Sequence, residues 1–159
     1  MKTIMLLGVM VLLVQASPVL AADPATPLLG SWALDLEHSQ IPVEARPKSV
    51  TITYSDVGGG KWKTNVEVVL PDGKTVGATS TYVPDGSAVP VEGHFEADTA
   101  ATRLPEPGVM VTALARGGVP GSMRTYTVSA DGKAMTETVV YFKAGGIPAM
   151  RTNHFNRVR

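Results

Sequence analysis

Three residues in the middle of the chain have the types and spacing that a reactive site would need: Glu92, His94 and Glu96. On a strand, residues two apart project from one face, so two carboxylates and an imidazole would lie side by side. Such a set could bind zinc or a similar divalent ion, or supply a general acid and a general base. The alternate positions from 89 to 95 are mostly apolar, and if they face a core the charged side chains face water. We therefore expect a solvated strand face with no metal and no catalytic residue, and an enzyme that uses Glu92 and His94 is an alternative.

A second set, Asp35, His38 and Ser39, has the residue types of a catalytic triad but not its usual placement. Triad members converge from separate parts of a fold, whereas these three lie within five residues. We expect His38 in a loop, where Asp35 or Ser39 caps a turn. The chain has no cysteine, which excludes a cysteine nucleophile and a thiolate metal site. The glycine triplet at 58–60 lacks the Lys-Ser/Thr pair and the helix of a phosphate-binding loop, and we predict no cofactor.

The first 21 residues have the pattern of a secretory signal peptide. Lys2 precedes an apolar run from Ile4 to Val14, and small or apolar residues lead to a cleavage site after Ala21. The run is too short to span a membrane comfortably, although a retained N-terminal anchor is the alternative. We therefore predict export to the periplasm or the exterior, and one mature domain, 22–159. With 14 basic and 14 acidic residues in the whole chain, no excess charge favours nucleic acid or an anionic membrane as a partner.

The rest of the chain alternates apolar and polar residues between frequent turn signals, a pattern typical of antiparallel strands. Asp-Gly pairs, which suit tight hairpin turns, occur at 72–73, 85–86 and 131–132. In the segment "KWKTNVEVVL" the tryptophan, the valines at alternate positions and the leucine share one face, opposite the lysines. The predicted strands are 30–36, 48–55, 61–70, 74–83, 88–95, 98–104, 109–115, 121–129, 134–143 and 150–157.

These strands and their short links predict an all-β fold, a closed antiparallel up-and-down barrel of 8–10 strands. A long open sheet would expose two edges, which closure removes, and a two-sheet β-sandwich is the alternative. The segment Gly30-Ser31-Trp32 resembles the Gly-x-Trp that opens the first strand of lipocalins. The stretches "GSWALDLEHS", "PVEGHFEADT" and "VSADGKAMTET" resemble small exported bacterial lipocalin-like proteins, most of which have no assigned function. The resemblance implies a calycin-type barrel that could hold a small apolar molecule.

The same resemblance implies how one end of the barrel is closed. In lipocalins the tryptophan of the first strand packs beneath an arginine from near the C-terminus, and this chain offers Arg157 and Arg159. We predict that Gly30, Trp32 and Arg157 close the barrel, with the guanidinium of Arg157 stacked on the Trp32 ring. The alternative is that Trp32 fills the floor of the barrel without a cation.

Five aromatic residues occupy strand positions that can face inward and are the candidate ligand-binding residues. A tyrosine suits a pocket wall because it has an apolar body and a polar tip. The sequence leaves open whether these rings line a cavity or fill the barrel completely. The candidates are Tyr54, Trp62, Tyr82, Tyr126 and Phe142.

The leading functional hypothesis is an exported protein that sequesters a small apolar or amphipathic ligand in its barrel. An alternative is a periplasmic protein-interaction or inhibitor module that uses its loops or the N-terminal arm 22–28. The sequence names neither the ligand nor a protein partner.

Overall fold

Ten antiparallel strands form one sheet that curls into a nearly closed up-and-down barrel, which confirms the predicted fold over the sandwich alternative. The computed structural model describes residues 26–93 and 96–158. Each strand pairs with its neighbours in the chain, except that β4 and β5 form the two edges and β1 pairs with β10. The strands are β1 Gly30–Leu34, β2 Ser49–Gly58, β3 Lys61–Val69, β4 Thr75–Tyr82, β5 Asp85–Pro90, β6 Thr99–Glu106, β7 Val109–Arg116, β8 Val119–Val128, β9 Ala134–Phe142 and β10 Pro148–Arg157.

Helical structure in the described residues is limited to short 3-10 turns at Thr26–Leu28, Val43–Ala45 and Ala144–Gly146. Within that part of the chain, no helix has the length and apolar character to cross a membrane. The wall of the barrel and the lining of its interior are therefore formed by the strands and by the connections between them.

The edge strands β4 and β5 are joined by a single bridge between Thr79 and Glu92. The backbone N–H of each residue donates to the carbonyl of the other, at 2.9 and 2.8 Å. Gly93 permits this close approach, because a Cβ on it would lie 2.3 Å from the carbonyl oxygen of Gly77 on β4. Gly77 itself allows β4 to lie close to β3, since a Cβ on it would lie 2.2 Å from the carbonyl oxygen of Val66. The barrel is therefore closed at one point along this seam rather than along a full ladder.

The segment between β5 and β6 departs from the predicted strands, because β5 ends at Pro90 rather than at residue 95. Proline has no N–H to continue a ladder, and Gly93 has a φ of +88°, which an extended strand does not use. The chain turns back instead. The N–H of Val91 donates to the carbonyl of Asp98 at 2.9 Å, and the N–H of Asp98 donates to that of Ala115 at 3.0 Å. This turn brings Glu96 to the open end of the barrel.

The opposite end is closed by the contact predicted between Trp32 and Arg157. Trp32 is fully buried, and the Arg157 guanidinium carbon lies 4.1 Å from the centroid of its ring. Arg157 also donates hydrogen bonds to the carbonyls of Pro27, Leu29 and Gly132, at 2.5, 2.7 and 2.6 Å. At Gly30, with a φ of +117°, a Cβ would lie 2.7 Å from Arg157 Nη1, so the glycine of Gly-x-Trp makes room for the arginine. Arg159 lies outside the described residues.

An apolar cluster fills the barrel above this floor. Tyr54 and Tyr126 meet edge to face, with ring centroids 6.1 Å apart, and the Trp32 indole N–H donates to the carbonyl of Leu28 at 2.9 Å. The buried members of the cluster are Leu28, Trp32, Ile52, Tyr54, Trp62, Tyr82, Met110, Tyr126, Met135 and Phe155. Side chains thus fill the closed half of the barrel among the described residues, and the two interior chambers lie in the open half.

Candidate binding site

The open half of the barrel contains two adjoining chambers. The small chamber has a volume of about 90 Å³ and lies under β3, β4, β6 and β7, where Ala78, Ala100 and Leu114 contribute to its wall. The large chamber has a volume of about 230 Å³ and lies under β1, β2, β3 and β10, with Val50 and Phe155 among its apolar residues. Their walls are mostly aliphatic and threonine side chains, a surface suited to an apolar molecule.

Three residues line both chambers and so mark the boundary between them: Val66, Glu96 and Arg124. The Arg124 side chain is 15% exposed, and its Nη2 donates to a carboxylate oxygen of Glu96, whose side chain is 45% exposed. Its Nη1 donates to Oε1 of Glu137 at 3.3 Å. A charged pair therefore crosses the interior at the point where the two chambers meet.

Strand register explains why these polar groups converge. Arg124 on β8, Val139 on β9 and Arg151 on β10 are direct cross-strand partners. Two residues further along each strand, towards the closed end, Tyr126, Glu137 and Asn153 are cross-strand partners in the same way. Positions two apart on a strand share a face, so both rows project into the barrel. We call Arg124, Tyr126, Glu137, Arg151 and Asn153 the interior polar cluster.

Glu137 is the centre of this cluster and is only 2% exposed. Its Oε1 accepts a hydrogen bond from the Tyr126 hydroxyl at 2.8 Å, in addition to the one from Arg124. Its Oε2 accepts one from Asn153 Nδ2 at 2.6 Å. Three donors from two neighbouring strands thus compensate for the burial of one carboxylate, as a buried charge requires.

The electrostatic environment keeps the hydrogen-bond donors Tyr126 and Arg124 protonated. Burial raises the pKa of Tyr126 far above its usual value, and the Glu137 carboxylate raises it further, so the hydroxyl stays protonated. For Arg124, burial alone would lower the pKa, but the oxygens of Tyr126, Glu96 and Glu137 outweigh it and the net shift is upward. The cluster therefore presents a permanent positive charge and a neutral hydroxyl.

Two polar atoms of the cluster are buried without a hydrogen-bond partner among the described residues: Nε of Arg151 and Oδ1 of Asn153. Both residues line the large chamber. The Arg151 guanidinium carbon also lies 5.8 Å from the centroid of the Tyr141 ring. A buried donor and a buried acceptor with no partner are costly, by about 1–3 kcal/mol each, unless another molecule pairs with them.

The aromatic residues that the sequence suggested as ligand contacts occupy three different environments. Tyr126 lines the small chamber and belongs to the interior polar cluster. Tyr54, Trp62 and Tyr82 are buried in the apolar cluster of the closed half and line neither chamber.

The inward orientation predicted for Phe142 is wrong, because its side chain is 61% exposed. The inward positions of β9 are odd-numbered, as the burial of Met135, Glu137 and Val139 shows. The run Val-Val-Tyr-Phe at the end of this strand is apolar on both faces, so the sequence alone does not reveal which face is inside.

The Glu92, His94 and Glu96 set does not share a strand face. Glu92 is exposed beside the bridge to Thr79, whereas Glu96 lies on the turn that follows and contacts Arg124. His94 lies outside the described residues. Across residues 26–93 and 96–158, no group of three or more His, Cys, Asp or Glu side chains is arranged to hold a metal ion.

His38 lies in an exposed turn that Asp35 caps, as predicted. Asp35 Oδ1 accepts hydrogen bonds from the backbone N–H groups of Glu37 and His38, at 3.1 and 3.2 Å. Its Oδ2 lies 2.8 Å from His38 Nδ1, and this hydrogen bond raises the pKa of His38 and lowers that of Asp35. The two side chains form a local pair and line neither chamber.

The comparisons with known proteins identify the fold. No protein-family model and no curated protein matches the sequence. The structure is similar to that of fatty-acid-binding protein 1 from Echinococcus granulosus, with a TM-score of 0.54 and 14% identity, over 84% of this chain and 99% of that one. It is also similar to the wild-type fluorescent protein UnaG, with a TM-score of 0.55 and 11% identity, again over 84% of this chain and 99% of that one. The fold is therefore that of a lipocalin-like antiparallel up-and-down barrel, similar to the barrels of these two proteins.

Proposed function

We propose that the protein sequesters a small amphipathic molecule, with its polar end at the interior polar cluster and its apolar body in the two chambers. The observation that carries this proposal is the position of Arg151 and Asn153 in the lining of a chamber whose other walls are largely apolar. Each of them also keeps one buried polar atom, Nε and Oδ1, without a partner among the described residues. The name of one structural neighbour, a fatty-acid-binding protein, agrees with this class of ligand.

The size of the interior limits the ligand. Pockets for small molecules have volumes of about 300–1,000 Å³, and neither chamber alone reaches that range. The two together do, so a ligand that fills the site spans the boundary at Arg124. Each Å² of apolar surface that it buries contributes about 25 cal/mol, whereas the polar cluster fixes its orientation.

Filling the small chamber tests this function. Ala100 is buried in its wall, and Ala101, the next residue of β6, belongs to the other face of the strand. We expect Ala100→Leu to weaken binding of the neutral fluorescent probe phenylnaphthylamine at least about tenfold, because the added side chain takes up ligand space. The matched substitution Ala101→Leu adds the same atoms outside the chamber and leaves binding unchanged.

Thermal unfolding of both variants shows that each is folded when probe binding is measured. If phenylnaphthylamine binds Ala100→Leu and the unsubstituted protein equally well, or binds neither, the ligand site is not in this barrel.

We further propose that the protein is exported and that residues 1–21 are removed on the way. The support is the sequence pattern of a short positive start, an apolar run and a small-residue cleavage site. We expect the intact mass of protein recovered from the exported fraction to correspond to a chain that begins at Ala22. A full-length chain found only in the membrane fraction would instead indicate a retained anchor.

A further inference from the structure

Glu96 reaches the interior polar cluster from the open end of the barrel. It lies in the turn between β5 and β6, not on a strand, and its carboxylate contacts Arg124 while nearly half of its side chain is exposed. Arg124 itself is held by the β8 register and by a second hydrogen bond to Glu137. The pair thus joins a residue of the open end to a residue fixed in the interior.

The charges that line the two chambers are balanced only when Glu96 is in place. Among the described lining residues, the charged side chains are Arg124 and Arg151, which are positive, and Glu96 and Glu137, which are negative. Without Glu96 the interior would keep one uncompensated positive charge, which is unfavourable in a largely apolar site.

The carboxylates of Glu137 and Glu96 differ in how easily they can move away from Arg124. Glu137 is buried and accepts three hydrogen bonds, so removing its carboxylate would leave three donors unpaired. Glu96 has one side-chain partner among the described residues, Arg124, and already reaches water at the mouth of the barrel. Rotation of Glu96 into solvent therefore moves its own charge into water, and its cost is the loss of one charged hydrogen bond to Arg124.

Glu96 also occupies the place where a ligand must pass. It lines both chambers, and each chamber is too small by itself for a typical ligand. Movement of this side chain towards solvent would widen the junction, where Val66 and Arg124 remain, and would free Nη2 of Arg124.

We infer that Glu96 is an internal competitor, which occupies the position of the ligand's anionic group and makes the barrel selective for amphipathic molecules that carry a single negative charge. This inference rests on the proposed function. A monoanion that displaces Glu96 restores the charge balance of the interior. A neutral molecule that displaces Glu96 leaves Nη2 of Arg124 without a partner.

Two probes with the same aromatic skeleton test the inference: anilinonaphthalene sulfonate, an anion, and phenylnaphthylamine, which is neutral. We expect Glu96→Gln to bind the sulfonate about tenfold more tightly than the unsubstituted protein does, because a neutral amide competes for Arg124 less well than a carboxylate. Binding of phenylnaphthylamine is expected to improve by less, no more than about threefold, because the neutral probe must also displace this side chain but cannot pair with Arg124 afterwards. An equal gain for both probes would contradict the selectivity for anions.

Glu92→Gln is the matched control, because it removes the same charge from the same turn but from an exposed position at the bridge to Thr79. We expect it to change binding of neither probe by more than about twofold. Equal effects of the two substitutions on sulfonate binding, or no effect of Glu96→Gln, would overturn the competitor role. If the neutral probe still binds and Ala100→Leu still blocks it, the proposed function survives that failure. If neither probe binds any variant, both proposals are wrong.

Discussion

Substitution of Glu137 by leucine is expected to lower the free energy of unfolding by about 3–5 kcal/mol, the usual cost of breaking a buried charged network by removing one partner. The change would leave the Tyr126 hydroxyl and Asn153 Nδ2 without their acceptor and would take one of the two carboxylates from Arg124. Urea unfolding followed by circular dichroism measures the effect.

The matched control is Glu67→Leu, which makes the same substitution at an exposed position of β3. We expect its effect to stay within about 0.5 kcal/mol. If the two substitutions cost the same, the hydrogen bonds to Glu137 do not stabilise the fold. If Glu137→Gln recovers part of the loss, the acceptor oxygen matters as well as the charge, because the amide keeps one acceptor for Tyr126 or Arg124.

Substitution of Trp32 by alanine is expected to cost about 3–5 kcal/mol, the range for truncating a large buried aromatic residue. The ring is fully buried, supports the guanidinium of Arg157 and donates a hydrogen bond to the carbonyl of Leu28. Trp32→Phe keeps an aromatic face for the arginine but loses the indole N–H, so it should cost less, about 1–3 kcal/mol.

Probe binding separates this effect from the ligand site. Trp32 lies in the solid closed half and lines neither chamber. Folded Trp32→Phe protein should therefore bind phenylnaphthylamine as the unsubstituted protein does. A phenylalanine variant that folds but no longer binds the probe would show that the two ends of the barrel are coupled, contrary to this expectation.

The sequence predicts much of this fold because strand alternation and turn chemistry are local properties. The predicted strand 61–70 corresponds to β3 at Lys61–Val69, and the predicted strand 109–115 to β7 at Val109–Arg116. The contact of Trp32 with Arg157 follows from a resemblance, not from local pattern. Where the pattern misleads, near Pro90, a residue without an N–H ends a strand that the alternation would continue.

The interior polar cluster could not be predicted in the same way. Glu137 sits in the strand "MTETVVYF", and a charged residue in a strand is far more often exposed than buried. Only three donors from β8 and β10 make its burial favourable, and which donors face it depends on the register between strands distant in sequence. The sequence did contain one signal of the cluster. Arg124 and Tyr126 are two residues apart on β8, so they share the inward face of that strand. Asn153 and Arg151, set beside the outward-facing His154, gave no sign that their own side chains point inward.

The pairing of β1 with β10 determines when this protein can fold. The Arg157 side chain donates a hydrogen bond to the carbonyl of Leu29, 128 positions earlier, and the N–H of Val158 donates one to the carbonyl of Ser31 at 2.9 Å. β1 can therefore pair with β10, one of its two neighbours in the sheet, only after the ribosome has made β10. Chains whose contacts join distant residues also fold slowly, in milliseconds to seconds. If residues 1–21 direct export as we propose, this delay keeps the chain unfolded while it is being translocated, and the barrel closes on the far side.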